Sequence, residues 1–246
     1  MNKTRIEWTD YTWNPVTGCL NDCWYCYARR FAERGLGEYG QHPKGERFKP
    51  RFHLERLDEP AKLKKPSKIF VCSMGELFGD WVPTGWIREI LDASAKAPQH
   101  IYQWLTKNPE RITDYAWSPN DWIGFTVTNQ KQLEEVAFWF TSSAHTKVEK
   151  RFMSLEPLLG PMNFTHLGYR RAGLNNEHLL EYAFADVLDW VIIGRMTGPG
   201  SDKHIPYLAW VEEIRSWCFK HEIPCFIKDN LHRDPQCQEF PRRYNK

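Results

Sequence analysis

The chain has 246 residues, 41% hydrophobic and 15% aromatic, with 33 lysines and arginines against 31 acidic residues. That is material for one large domain with a sizeable core, and a net charge of +2 supplies no whole-protein basic field announcing nucleic acid. No apolar run approaches the ~18–20 residues that span a bilayer and residues 1–8 have no apolar signal core, so the expectation is a cytoplasmic protein with no membrane partner.

In chain order, a first strand is expected to lead into a loop bearing Cys19, Cys23 and Cys26, spaced C-x-x-x-C-x-x-C with Tyr25 before the third. Three thiolates so spaced can converge on one face of a cubane iron–sulfur cluster and leave its fourth iron without a protein ligand, where four cysteines are usual. Two other readings of these residues stay open. A zinc site wants a fourth ligand, and His42 and His53 stand in no finger spacing; the cysteines are otherwise incidental thiols. An odd total of seven cysteines argues against disulfides.

Past the loop, Tyr27, Ala28, Phe31 and Ala32 share a helical face, and Gly35 is placed to end the helix. Residues 36–67 are polar and turn-rich and read as an excursion. Apolar runs at 68–73, 101–105, 123–127, 151–155, 190–193 and 225–227 read as strands. Several are apolar throughout, which suits a parallel sheet buried on both faces. Between them, Ile87, Ile90 and Leu91 make one helical stripe. Asn108-Pro109 reads as a helix start, and Leu133, Val136, Ala137 and Phe140 form a stripe after the capping Asn129. A second excursion covers 165–184. Leu208, Val211, Ile214 and Cys218 form the last stripe, with Cys218 and Cys225 expected in the core. Alternation of this kind predicts an α/β fold, a partial or complete TIM-like parallel β/α barrel over 1–246 as a single domain.

In such barrels the chemistry sits at the carboxyl ends of the strands. The second strand ends in Cys72, Ser73, Met74, Gly75 and Glu76; Cys72 is a candidate thiol or hydrogen donor, and Glu76 could meet an ammonium group. Lys107 ends the third and could take a carboxylate or anionic substrate. Thr126 and Thr128 end the fourth and bind ligand or cap the next helix. Glu156 ends the fifth, where a carboxylate is costly unless paired or facing a site; it is the leading catalytic candidate outside the cysteines. Gly194 opens a glycine-flanked turn suited to close ligand approach. Lys62, Lys64, Lys65 and Lys68, Arg242 and Arg243, and tryptophans that could stack bases are the local hints of a DNA or nucleotide partner, against the plainer reading of the lysines as a solvated charged face.

The cysteine spacing and Tyr25 resemble the cluster loop of the radical S-adenosylmethionine (SAM) superfamily, and Gly75-Glu76 loosely resembles its Gly-Gly-Glu element. Several stretches resemble a phage-associated radical-SAM-like family: Ile-Glu-Trp-Thr-Asp at 6–10, Thr-Trp-Asn-Pro-Val-Thr-Gly-Cys at 12–19, Cys-Tyr-Ala at 26–28, Leu-Thr-Lys-Asn-Pro-Glu-Arg at 105–111 and Ser-Leu-Glu-Pro-Leu-Leu-Gly-Pro at 154–161. Many of its members have Gly-Gly-Glu-Ser-Gly where this chain has Gly194-Arg195-Met196-Thr197-Gly198. The resemblance implies a radical SAM barrel, a 4Fe–4S cluster on Cys19, Cys23 and Cys26, and SAM held with help from Tyr25, Ser73, Gly75, Glu76, Lys107, Thr126, Thr128 and Gly194. It implies a reductant such as flavodoxin or ferredoxin, and hydrogen abstraction from a substrate that a phage context makes a DNA nucleobase. The competing function is a non-catalytic nucleic-acid-binding or interaction module with a structural metal on the three cysteines. A nuclease has no clustered acidic motif here to support it.

Overall fold

The structure is a computed structural model that describes residues 1–142, 148–165, 167, 177–231 and 237–241. The fold is mixed α/β with a mostly parallel eight-stranded sheet, as the alternation predicts. The chain divides into two compact units, Met1–Trp122 and Ile123–Lys246. No helix among the described residues is long and apolar enough to cross a membrane.

In the first unit, β1 (Asn2–Lys3) pairs antiparallel with β2 (Tyr11–Trp13), the strand that leads toward the cysteine loop. A short ribbon of β3 (Val16–Thr17) delivers the chain to Gly18 and Cys19. Helix α1 (Tyr27–Glu33) follows, and Gly35, at φ +69°, closes it with its N–H on the Ala32 carbonyl (2.9 Å). The 36–67 excursion is not structureless. It holds two 3₁₀ turns, β4 (Arg51–Phe52), which pairs antiparallel with β3, and the single-turn helix α2 (Glu59–Lys62). Strand β5 (Lys68–Val71) lies parallel to β2, helix α3 (Thr84–Ala95) crosses over, and β6 (Ile101–Thr106) lies parallel to β5.

Burial explains these choices. Trp13, Ile69, Ile87, Ile90, Tyr102 and Trp104 are all within 2% of complete burial, and each large apolar side chain so removed from water contributes ~1.5–3 kcal/mol. The Trp104 indole N–H is satisfied by Asp121 Oδ1 at 2.7 Å, as a buried indole requires. Two helix readings need correction. Only Ala28 and Ala32 of the α1 stripe are buried; Tyr27 and Phe31 are exposed, because a seven-residue helix offers the core one narrow face. Asn108 starts no α-helix: Pro109–Asp114 is a 3₁₀ turn, and the Asn108 amide donates instead to the Phe78 carbonyl (3.0 Å) and Asp80 Oδ1 (2.8 Å).

Strand β7 (Asp121–Thr126) carries the chain into the second unit. Helix α4 (Gln130–Ser142) buries Leu133, Val136, Ala137 and Phe140 as expected, and Asn129 Oδ1 caps it through the Gln132 N–H at 3.0 Å. Asn129→Ala is therefore expected to cost ~1 kcal/mol in urea unfolding, while Asn129→Ser should retain most of the stability. Strands β8 (Lys150–Leu155), β9 (Trp190–Ile193) and β10 (Cys225–Ile227) run parallel in that order. Helix α5 (Glu177–Val187) occupies the end of the expected 165–184 excursion, and residues 168–176 of that stretch lie outside the described residues, as do Arg242 and Arg243. Helix α6 (Leu208–Lys220) buries Val211, Ile214, Trp217 and Cys218, but Leu208 at its start is 55% exposed, one turn short of the packed face. Cys225 is core, and Cys237 donates its thiol to the Cys225 carbonyl.

Candidate functional site

The cysteine loop is fastened to the end of β5 by two glycines. Gly18 adopts φ +86°, donates its N–H to the Met74 carbonyl (2.9 Å) and accepts from the Glu76 N–H (3.3 Å). A Cβ on Gly75 would lie 3.0 Å from the Val16 and Gly18 carbonyl oxygens, so a side chain here would press on two backbone oxygens of the loop. The Cys19 N–H donates to the Phe48 carbonyl at 3.0 Å, and Arg29 reaches back to the Cys19 carbonyl at 3.1 Å. The loop turns through Cys23 N–H to Asn21 O (2.8 Å) and Cys26 N–H to Cys23 O (3.0 Å). Cys26 then caps α1, its sulfur accepting from the Arg29 N–H at 3.3 Å.

All three thiols are half-buried and none is in a disulfide. Burial pushes the Cys19 thiol up to about 12; the Asn21 amide opposes this, and the charges of Glu76, Cys26 and Cys23 add to it. Thiolates crowded in this way are costly until a cation joins them, which is the chemistry of a metal-binding donor set. Among the described residues no three His, Cys, Asp or Glu side chains are gathered for a single metal ion. The donor set is three cysteine thiols on one loop, the ligand type that iron–sulfur clusters take.

Beside the loop, the β5 and β6 ends are tied together by Glu76. Its carboxylate is buried, Oε1 accepting from the Thr106 hydroxyl (2.7 Å) and the Phe78 N–H (3.1 Å), Oε2 from the Lys107 N–H (3.0 Å). Burial pushes its pKa up, against the pull of those donors. Glu76→Gln is expected to destabilise the fold by ~1–3 kcal/mol in urea unfolding. Whichever way the amide turns, its NH₂ meets a backbone N–H that needs an acceptor. The Lys107 ammonium lies 5.7 Å from the centre of the Tyr25 ring. Cys72, at φ +57°, is buried, and burial raises its thiol to about 12.

Two residues that the strand-end reading missed shape Ser73 and Met74. Asn14 Oδ1 accepts from the Met74 N–H (2.9 Å) and the Ser73 hydroxyl (3.2 Å), and the Tyr27 hydroxyl donates to the Ser73 carbonyl (2.6 Å). Asn14 sits in the Trp-Asn-Pro stretch, so the motif held a signal; Tyr27 looked like one more apolar position of its helix. The structure thus brings Cys19, Cys23, Cys26, Tyr25, Ser73, Gly75, Glu76 and Lys107 into one neighbourhood of the first unit.

Thr126, Thr128, Glu156 and Gly194 belong to the second unit. Thr126 and Thr128 are buried, and Thr128 directs both its N–H (2.8 Å) and its hydroxyl (3.0 Å) to Gln132 Oε1 at the start of α4. Glu156 pairs with Lys228, Oε1 to Nζ at 2.6 Å, a short charge-assisted bond. A Cβ on Gly194 would lie 2.9 Å from Glu156 Cδ and 3.0 Å from Lys228 Cδ, so glycine makes room for this pair. Lys228 stands immediately after β10, as Glu156 does after β8; the strand-end pattern places both and only the structure pairs them.

Residues 3–238 match the family described as "Protein of unknown function (DUF5131)", and the chain belongs to that family. No curated protein matches the sequence. Among solved structures the chain is similar to spore photoproduct lyase. A cysteine-to-serine mutant of that protein gives a TM-score of 0.58 at 10% identity, and a tyrosine-to-phenylalanine mutant 0.59 at 9%. A double mutant with bound AdoMet and dinucleoside spore photoproduct gives 0.56 at 10%. Each alignment covers 92% of this chain and 78% of the other. At these identities the likeness is one of fold.

Proposed function

We propose that this member of the DUF5131 family is a radical SAM enzyme that abstracts hydrogen from its substrate, with a nucleobase in DNA as the candidate substrate. The observation that carries the reading is the C-x-x-x-C-x-x-C loop clamped through Gly18 and Gly75 to a strand end bearing Glu76, with Lys107 over Tyr25. Cys19, Cys23 and Cys26 would hold a 4Fe–4S cluster, which supplies, when bound and reduced, the electron that cleaves SAM. The protein's part is to bind and orient. Ser73, Gly75, Tyr25, Glu76 and Lys107 would help to hold SAM beside the cluster loop. Cys72, immediately after β5, is the candidate in the first unit for touching substrate; Thr126, Thr128, Glu156 and Gly194 belong to the second unit. Under this reading residues 1–246 work as one cytoplasmic, radical-SAM-like domain, phage-associated as its motifs suggest, and served by flavodoxin or ferredoxin.

The fold likeness to a lyase that has been seen with AdoMet and a dinucleoside photoproduct supports both the cofactor and a nucleobase substrate. The test is anaerobic reconstitution with iron and sulfide, then dithionite and SAM. Formation of 5′-deoxyadenosine upholds the enzyme reading; stoichiometric zinc with no iron uptake overturns it. For the substrate, binding of an oligodeoxynucleotide that weakens steeply with salt upholds the DNA branch, and its absence points to a small molecule or peptide.

A further inference from the structure

We propose that Lys107 sets the reduction potential of the cluster held by Cys19, Cys23 and Cys26, raising it above what the thiolates alone would give; this rests on the radical SAM reading above. Lys107 leaves the end of β6 with its backbone fixed, because its N–H is bonded to the buried Glu76 carboxylate at 3.0 Å. Its side chain is half-buried, and its ammonium lies 5.7 Å from the centre of the Tyr25 ring. Tyr25 stands between Cys23 and Cys26 in the loop, so the ring contact places the cation against the loop itself. Burial lowers the Lys107 pKa, and the charges opposing that are Cys23, Glu76, Cys26 and Cys19. The ammonium over the Tyr25 ring is thus held beside the stretch of loop that carries Cys23 and Cys26.

Reduction places one electron, from an external donor such as dithionite, in a site already crowded by three thiolates and near a buried carboxylate. Cluster potentials respond to local net charge and solvent exposure, and a charge half-removed from water acts more strongly than one in bulk solvent. Lys107 supplies the compensating charge. If solvent screens that charge from the cluster, removing it alters at most SAM affinity and leaves the SAM-free potential unchanged.

The test is a midpoint potential measured on the anaerobically reconstituted full chain without SAM, followed by EPR during dithionite titration. Lys107→Met and Lys107→Gln are each expected to shift the potential to more negative values. Lys107→Arg should stay near wild type. Iron content and far-UV circular dichroism equal to wild type qualify each variant for comparison. Two charge-neutral variants are used so that misfolding of one leaves the other to decide. Unchanged potentials in a neutral variant carrying a full cluster overturn the proposal while the radical SAM reading stands, and a concurrent loss of SAM affinity would assign Lys107 to the SAM carboxylate. Failure of the wild-type chain to take up iron removes both.

Discussion

Cys23→Ala is expected to bind little iron after anaerobic reconstitution and to form no 5′-deoxyadenosine from SAM. The loop offers three thiols, and removing one leaves a cluster with two protein ligands. Cys23 is half-buried, and its part in the fold is carried by its backbone: the N–H donates to Asn21 and the carbonyl accepts from Cys26. Alanine keeps both bonds, so stability should move by no more than ~0.5 kcal/mol, and urea unfolding of the metal-free protein separates a chemical loss from a structural one. Normal iron content and product formation in Cys23→Ala would remove that cysteine from the ligand set. Zinc bound in wild type and lost in the variant would favour the structural-metal module instead.

Gly18→Ala is expected to be the most destabilising single-methyl addition in the loop, by roughly 3 kcal/mol or more, with iron uptake lost alongside. Two effects add. At φ +86° an L-residue carries a left-handed penalty of ~1–2 kcal/mol. The new Cβ would also lie 2.2 Å from the Lys49 carbonyl oxygen and 2.8 Å from that of Phe48. Both are backbone atoms, and the Phe48 carbonyl is the acceptor for the Cys19 N–H, so relief of the collision pulls the cysteine loop from its support. Gly45 supplies the control. It has nearly the same φ, +84°, but open space where a Cβ would go, so Gly45→Ala should show the conformational cost alone, ~1–2 kcal/mol. Equal losses at the two positions in urea unfolding would show that the packing of Gly18 against residues 48–49 is wrong.

The parallel strands were legible because they are buried on both faces and appear as uninterrupted apolar runs. Those at 190–193 and 225–227 match to the residue, and the other four fall within two residues at each end. Strands β1 to β4 were not legible individually: two or three residues long, they carry too few positions for any periodicity. Asn108-Pro109 shows the limit of capping signals, since a favoured residue pair started a 3₁₀ turn once the Asn108 amide found partners some thirty residues earlier in the chain.

By itself the sequence determined the cysteine set, the α/β alternation and the strand ends where polar residues gather, because each is a local pattern of residue type and spacing. Tertiary structure alone decided what those residues touch. Asn14 organises Met74 across 60 positions, Glu76 ties down Lys107 across 31, and Glu156 finds Lys228 across 72. No local periodicity encodes such pairings. They arise when burial brings strand ends together and every polar group removed from water must be given a partner.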